Sequence, residues 1–223
     1  MCHALLNKLP AATGMALGHT ACHIQRNHAH QERPATMAEH LCIIPASTFQ
    51  TSRWKNGGGI THEIVKDQAG DQLLWRISIA EMDRDATFSP FDGFTRILTV
   101  IEGAGLDLHH PAGELHAGAL KPLRFSGGLQ VEGRLISGNV RNFNLIFDGQ
   151  RIKADVSVLR GGDTWTAGAD TNSLQVIYCI SGAAQIGGVP VAPGAAALFS
   201  ADAGLVEIPQ GGCAVLVVLT NDV

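Results

Sequence analysis

The sequence has few charged and few aromatic side chains. Charged residues make up 16% and aromatic residues 5% of its 223 residues, whereas soluble domains average about 25% charged residues. The formal net charge of −4 provides no basic patch of the kind that nucleic-acid binding requires. No apolar run approaches the roughly 20 residues that a membrane-spanning helix needs. We therefore expect neither nucleic acid nor a membrane as a partner.

Paired cysteines are also missing. The five cysteines are odd in number and scattered, without a Cys-x-x-Cys pair, at Cys2, Cys22, Cys42, Cys179 and Cys213. This spacing predicts neither a disulfide framework nor a zinc site. Cys179 and Cys213 lie within apolar strand-like runs, which is typical of small buried side chains. The expected location is the reducing cytoplasm.

Helical periodicity is absent over any stretch of ten residues, while turn signals are frequent. The chain has 26 glycines and nine prolines. Between these turns, residues 73–79, 96–101 and 141–147 alternate with a period of two, as strands do. Many short strands at such spacing predict an all-β fold of the sandwich or barrel type.

The chain divides into three parts. Residues 1–36 hold five of the ten histidines and lack periodicity. They are interpreted as a disordered extension or a mis-called start before Met37, with a metal-binding tail as the alternative. Residues 37–150 are expected to form a barrel that carries a ligand pocket. Residues 151–223 are expected to form a second, mainly structural barrel, because both faces of its strand at residues 174–180 are largely apolar.

A glycine-rich motif, RWKNGGGITHEI, occupies residues 53–64. Glycine can adopt a positive φ, so Gly57 and Gly58 can turn their N–H groups towards a bound anion. Lys55 and Asn56 add side-chain donors at the same place. The alternative is a flexible turn before a strand. The motif is not a nucleotide-binding phosphate loop, because no Gly-Lys-Ser/Thr follows it.

Polar side chains recur at alternate positions of three predicted strands. The pairs that share a strand face are Thr61 with Glu63, Arg76 with Ser78, and Asn142 with Asn144. One interpretation is the solvent face of an antiparallel sheet. The other is a polar pocket inside a barrel, where Arg76 binds a carboxylate bidentately and Glu63 offsets its charge.

The motifs, taken in order, resemble the HutD/Ves family. The matching segments are residues 54–59 (WKNGGG) with Thr61 and Glu63-Ile64, residues 75–80 (WRISIA), residues 88–93 (FSPFDG) with Arg96, residues 125–127 (FSG) and residues 143–145 (FNL). The resemblance runs from Leu41 to the C-terminus and is specific through the first 150 residues. It implies a bicupin, that is, two cupin-like (RmlC-like jelly-roll) β-barrels in one chain without the usual metal ligands.

The resemblance also implies a function and a site. Family members are linked to histidine utilisation or environmental stress and are thought to bind a small metabolite. We expect a sensor or buffer of a small carboxylate, formylglutamate- or urocanate-like, that acts as a monomer or homodimer and needs no cofactor. The resemblance transfers the pocket lining to Lys55, Asn56, Thr61, Arg76, Ser78, Arg96 and Asn144, to which the motifs add Gly57, Gly58 and Glu63. The chain departs from the family at Gly128 and Asn142, where the family tends to have Asp, and these changes would make the pocket more positive.

Two enzymatic alternatives stay open. In the first, Glu63 is the general base of a metal-independent hydrolase or isomerase. In the second, the chain is a metal-dependent oxygenase that binds its metal through His109, His110 or His116. The second is the weaker, because Pro111 interrupts a His-x-His pattern and adjacent histidines on a strand point to opposite faces. No nucleophile motif is present, so we expect no catalytic residue and no metal.

The aromatic segment at residues 88–94 also has two interpretations. It is either a loop packed on the rim of the barrel or a lid over the pocket mouth that leads into Arg96.

Overall fold

The computed structural model describes residues 40–166 and 173–221, and nearly all of them lie in strands or turns. Two single-turn 3₁₀ helices occur at Ala46–Thr48 and Ala201–Ala203. In chain order the strands are β1 Leu41–Ile44, β2 Gln50–Arg53, β3 Ile60–Ala69, β4 Gln72–Met82, β5 Ala86–Thr87, β6 Thr95–Glu102, β7 Gly105–His110, β8 Gly113–Gly118, β9 Leu123–Ser126, β10 Glu132–Leu135, β11 Val140–Phe147, β12 Ile152–Arg160, β13 Thr164–Trp165, β14 Ser173–Ser181, β15 Ala184–Ile186, β16 Val189–Val191, β17 Ala196–Phe199, β18 Val206–Glu207 and β19 Cys213–Asn221. The predicted extension at residues 1–36 lies outside the described residues.

The strands form four sheets, which pair into two barrels. In the first barrel, a six-stranded sheet (β2-β3-β4-β11-β6-β9) faces a four-stranded sheet (β5-β10-β7-β8). In the second, a five-stranded sheet (β1-β17-β14-β19-β12) faces a four-stranded sheet (β13-β18-β15-β16). Each pair of sheets encloses its own hydrophobic cluster. The expectation of an all-β chain with two barrels is confirmed.

The first strand belongs to the second barrel. The division drawn from the sequence at residue 150 places Leu41–Ile44 with the first barrel, whereas β1 pairs antiparallel with β17, Leu41 opposite Phe199 and Ile44 opposite Ala196. The chain therefore crosses to the first barrel between Ile44 and Gln50 and returns after Phe147. Because this register joins residues about 155 positions apart, no local pattern could have indicated it.

The largest hydrophobic cluster lies between the barrels. The outward faces of β4 and β11 contribute Trp75 and Phe143, which are fully buried, and β14 and β19 contribute Tyr178 and Val217 from the other side. The rings of Phe143 and Tyr178 lie 6.1 Å apart. Burying a side chain of this size contributes about 1.5–3 kcal/mol. The broad sheets of the two barrels are thus joined back to back by a continuous core.

The interior of the second barrel is apolar, as its sequence indicated. Ile177, Cys179, Leu216 and Val206 are buried in one cluster there, and Cys179 is a free thiol. This interior is filled with side chains. Over residues 40–166 and 173–221, no helix is long and apolar enough to cross a membrane.

Candidate functional site

A cavity of about 550 Å³ opens on the inner face of the six-stranded sheet of the first barrel. We call it the cationic cavity, because four cationic side chains and no carboxylate are found among its lining residues. The lining consists of Ser52, Arg53, Trp54, Lys55, Asn56, Thr61, Arg76, Ser78, Ala80, Thr87, Phe88, Ser89, Pro90, Phe91, Arg96, Asn144 and Ile146.

Strand register brings the predicted polar stripes together. Ser78 lies opposite Glu63 on β3 and opposite Asn144 on β11. Arg76 lies opposite Ile146, which in turn lies opposite Arg96 on β6. Ser78 and Asn144 are each only 2% exposed. The stripe on β4 and β11 therefore faces the interior of the barrel, and the alternative of a solvent face does not apply to it.

Arg96 is held rigidly within this interior. Its Nε and Nη2 both donate to Oδ1 of Asn144, at 3.0 and 2.6 Å. Its guanidinium carbon lies 4.6 Å from the ring centre of Phe88 and 5.7 Å from that of Phe125. Burial, with a smaller contribution from the charge of Arg76, lowers the pKa of Arg96 to about 9. Because this side chain has only neutral partners, it favours an incoming anion.

Arg76 is the second cation aimed into the cavity. Its Nε is buried and has no hydrogen-bond partner, and its guanidinium carbon lies 5.0 Å from the ring centre of Phe91. Burial lowers the pKa of Arg76, while the nearby charge of Glu63 opposes that shift. A buried donor without a partner is costly, and an anion in the cavity would supply the missing acceptor.

The glycine-rich loop between β2 and β3 uses the N–H groups of Gly57 and Gly58 for hydrogen bonds within the loop. The N–H of Gly57 donates to the carbonyl of Trp54 at 3.0 Å, and that of Gly58 donates to Oδ1 of Asn56 at 3.1 Å. Neither glycine lines the cationic cavity. A Cβ on Gly58 would overlap the Cβ of Ala86. The expected contacts from Gly57 and Gly58 to an anion are therefore not provided, because these N–H groups close the loop itself.

The other residues of this loop do reach the cavity. Asn56 Nδ2 donates to the carbonyl of Thr87 at 3.0 Å, which ties the loop to β5. Trp54 Nε1 donates to Thr61 Oγ1 at 2.8 Å, so the hydroxyl proton of Thr61 is not used by this bond. Lys55 is exposed and contributes to the lining. Asn56 thus mainly fixes the loop to β5. The hydroxyl of Thr61 and the ammonium group of Lys55 retain donors for a ligand.

The aromatic segment after β5 forms part of the wall of the cavity. Phe88, Ser89, Pro90 and Phe91 all line it. Its backbone is fixed at both ends, since the N–H of Phe88 donates to Val131 O at 3.0 Å and that of Phe91 donates to Gly127 O at 2.8 Å. The rings of Phe88 and Phe91 therefore stack on Arg96 and Arg76 from a well-anchored loop.

Glu63 does not line the cavity. Its Oε1 lies 3.0 Å from Nζ of Lys66, three positions along β3. A β-bulge at Ile64 makes this contact possible, because it places Glu63 opposite Ser78 and Lys66 opposite Arg76 on the same face. Glu63 thus influences Arg76 through its charge but is committed to Lys66.

The histidines of the alternative metal site are spread over the β7–β8 hairpin. His109 Nε2 lies 2.9 Å from Glu114, and His116 Nδ1 lies 2.8 Å from Asp107, in cross-strand pairs. No group of three or more His, Cys, Asp or Glu side chains able to hold a metal occurs in the part of the chain that the structure describes. The hairpin therefore presents two separate surface pairs.

The two departures from the family pattern lie outside the cavity lining. A Cβ on Gly128 would lie 2.8 Å from Oδ1 of Asp92, on the outer side of the aromatic segment. Asn142 lies fully buried behind Asn144. Asn142 is connected to Arg96 of the lining through the hydrogen bonds of Asn144.

Ten of the 17 lining residues are not among the predicted pocket residues, and four of these ten carry a charge or an aromatic ring. Arg53 and Trp54 belong to the motif that was singled out, and Phe88 and Phe91 to the aromatic segment. The high density of cationic and aromatic side chains in these two segments is the sequence feature that could have identified them as cavity lining.

The sequence model of the HutD family matches residues 46–217. The chain belongs to the HutD family. An uncharacterized 21.2 kDa protein in the hutC 3′ region of Pseudomonas putida is 36% identical over 136 residues, which are 59% of this chain and 70% of that protein. Protein Ves of Escherichia fergusonii is 31% identical over 137 residues, 60% of this chain and 70% of its own length.

Solved structures share the architecture. HutD from Pseudomonas fluorescens SBW25 has a TM-score of 0.70 and 30% identity, covering 82% of this chain and all (100%) of that one. A bacterial pirin from Escherichia coli, in complex with nickel(II), has a TM-score of 0.60 at 10% identity, covering 82% of this chain and 100% of its own. The second likeness concerns the fold alone. The cupin-like bicupin fold expected for this HutD family member is thus confirmed.

Proposed function

We propose that this chain binds a small carboxylate metabolite in the cationic cavity and acts as a sensor or buffer of that metabolite. The observation that carries the proposal is the charge of the lining, which contains Arg53, Lys55, Arg76 and Arg96 and no carboxylate. The buried, unpartnered Nε of Arg76 marks the point where an acceptor fits.

The shape and chemistry of the cavity favour a small planar anion. Guanidinium groups bind carboxylates through two parallel hydrogen bonds. A volume of about 550 Å³ lies within the range of small-molecule sites. The hydroxyls of Ser78 and Thr61 add polar contacts, and Ala80 and Ile146 provide an apolar floor. These features suit a short organic acid with a polar end and an apolar segment.

Family membership and the hutC-region relative support histidine catabolism as the source of this acid. Formylglutamate- and urocanate-like acids are the first candidates, and the cytoplasm is the compartment in which we expect them to be bound. A hydrolase or isomerase with Glu63 as general base receives less support, because Glu63 is outside the lining and paired with Lys66.

Calorimetric and thermal-shift titration of the full chain with urocanate, formylglutamate, glutamate and histidine tests the proposal. One of these acids should raise the melting temperature in a concentration-dependent way. Arg76→Ala should weaken its binding by about 2–5 kcal/mol, the usual effect of truncating one partner of a buried charge pair. Arg84→Ala is the matched control, since Arg84 is exposed and paired with Asp83. Equal affinity in the two variants would contradict the assignment.

A further inference from the structure

A relay of two asparagines runs behind Arg96. Asn144 Oδ1 accepts both hydrogen bonds from Arg96, and Asn144 Nδ2 donates to Oδ1 of Asn142 at 2.6 Å. Asn142 is fully buried and its Nδ2 lies 3.9 Å from Sδ of Met82. It does not line the cavity, so any influence it has on a bound anion passes through Asn144.

The direction of each amide in the relay follows from its neighbours. If Asn144 were turned over, its NH₂ group would face two N–H donors of Arg96, and no bond could form. With its oxygen towards Arg96, its NH₂ requires acceptors, which Asn142 supplies through Oδ1 at 2.6 Å and through its backbone carbonyl at 3.3 Å. The N–H groups of Asn142 then point towards a thioether sulfur, which is a weak acceptor. Because the side-chain bond is the shorter of the two, the orientation of Arg96 depends mainly on Asn142 Oδ1.

The relay is also neutral throughout. The charged neighbour that acts on Arg96 is another cation, Arg76. A carboxylate at position 142 would accept the same bond from Asn144 and would bring a negative charge to the back of Arg96.

We propose that Asn142 is a positioning residue that holds Arg96 in place while leaving its charge uncompensated, and so sets the affinity of the cavity for anions. This inference rests on the proposed function for its affinity readout. Its geometric part concerns Arg96 itself and stands apart from any metabolite.

The experiment is an NMR titration of the full chain with sodium acetate in chloride-free buffer, observing the Nε–H signal of Arg96. In the wild type this signal should be sharp and should shift as acetate binds. Asn142→Asp keeps the acceptor for Asn144, so the signal should stay sharp, but acetate affinity should fall by about tenfold to a hundredfold because of the added charge. Asn142→Leu removes the closer acceptor, Oδ1, and leaves Asn144 only the backbone carbonyl at 3.3 Å, so the signal should broaden or move even without acetate. Arg84→Ala, at an exposed position paired with Asp83, is the control and should change neither readout.

Each outcome bears on the proposal. Wild-type acetate affinity in Asn142→Asp, or an unaltered Arg96 signal in Asn142→Leu, would overturn it. If the role of Asn142 were merely structural, each of the two variants would lose acetate affinity in proportion to its own loss of stability. If Asn142→Asp does not fold, Asn144→Asp places the carboxylate directly against Arg96 and must lower acetate affinity at least as far. If the wild type binds no acetate and no acid of the metabolite panel, the proposed function fails, while the Arg96 signal in Asn142→Leu still decides the positioning role.

Discussion

Replacing Arg96 by methionine should abolish anion binding without the loss of stability that is usual for a fully buried side chain. Burial lowers the pKa of Arg96 to about 9, and at about 1.4 kcal/mol per pKa unit the charged form carries several kcal/mol of unfavourable free energy. Methionine removes that charge and keeps much of the packed stem.

Two losses oppose this gain. Asn144 Oδ1 loses both of its donors from Arg96, and an unsatisfied buried acceptor costs about 1–3 kcal/mol. The stacking on Phe88 and Phe125 is also lost, at about 0.5–2 kcal/mol. The terms nearly balance, so we expect the free energy of unfolding of Arg96→Met to lie within about 2 kcal/mol of the wild type or above it. The neighbouring Leu98→Ala, at an apolar and fully buried position, should instead lose about 2–5 kcal/mol.

Urea denaturation followed by tryptophan fluorescence measures these differences. The direction in which this stability difference changes with pH follows from the linkage between proton binding and folding. The pKa of Arg96 is lower in the folded chain than in the unfolded chain, so above about pH 9 the unfolded state binds more protons and the wild type gains stability relative to Arg96→Met. The full cost of the charge is present at neutral pH and is relieved as pH rises through 9. A loss of more than about 3 kcal/mol in Arg96→Met at pH 7.5, with an unchanged m-value, would refute this reasoning.

Three further predictions concern the loop and Glu63. Gly58→Ala should destabilise the fold by about 1–3 kcal/mol through overlap with Ala86, and Ala86→Gly should restore part of that loss in a double-mutant cycle followed by urea denaturation. Asn56→Ala removes the bonds to Gly58 N and Thr87 O; it should lower the free energy of unfolding by about 1–3 kcal/mol and increase amide exchange at residues 54–59. Glu63→Gln removes a negative charge near Arg76, so calorimetry should show carboxylate affinity that is unchanged or severalfold higher, whereas a direct ligand contact from Glu63 predicts a loss.

The polar stripes could be predicted from sequence because side chains two positions apart on a strand share a face. Arg76 with Ser78, and Asn144 on its neighbour, were brought together in this way. The period of two does not say which face is inside, because both sides of β4 are covered, one by the cavity and the other by the core between the barrels. The apolar side chains of the second barrel that share a core with Trp75, such as Tyr178 and Val217, lie more than 70 residues further along the chain.

Other features depended on short-range contacts that the types of residue alone do not specify. The N–H groups of Gly57 and Gly58 look available in the sequence, but Trp54 O and Asn56 Oδ1 accept from them inside the loop. Glu63 looked like a counter-charge for Arg76, and the bulge at Ile64 brought Lys66 to it. In both cases a neighbour within a few residues satisfied a group that the sequence analysis had assigned to a ligand.

The arrangement of two barrels explains how one of them tolerates a polar interior. Burying Arg96, Asn142 and Asn144 inside a single small barrel would replace much of its hydrophobic core with groups that are costly to desolvate. Here the broad sheet of the first barrel has a second buried face, on which Trp75 and Phe143 pack against the second barrel. That outer face adds apolar burial to the hydrophobic cluster inside the first barrel, and this burial offsets the cost of the buried cation and amides on the inner face. The second barrel, with its interior filled, therefore stabilises the sheet that carries the cationic cavity.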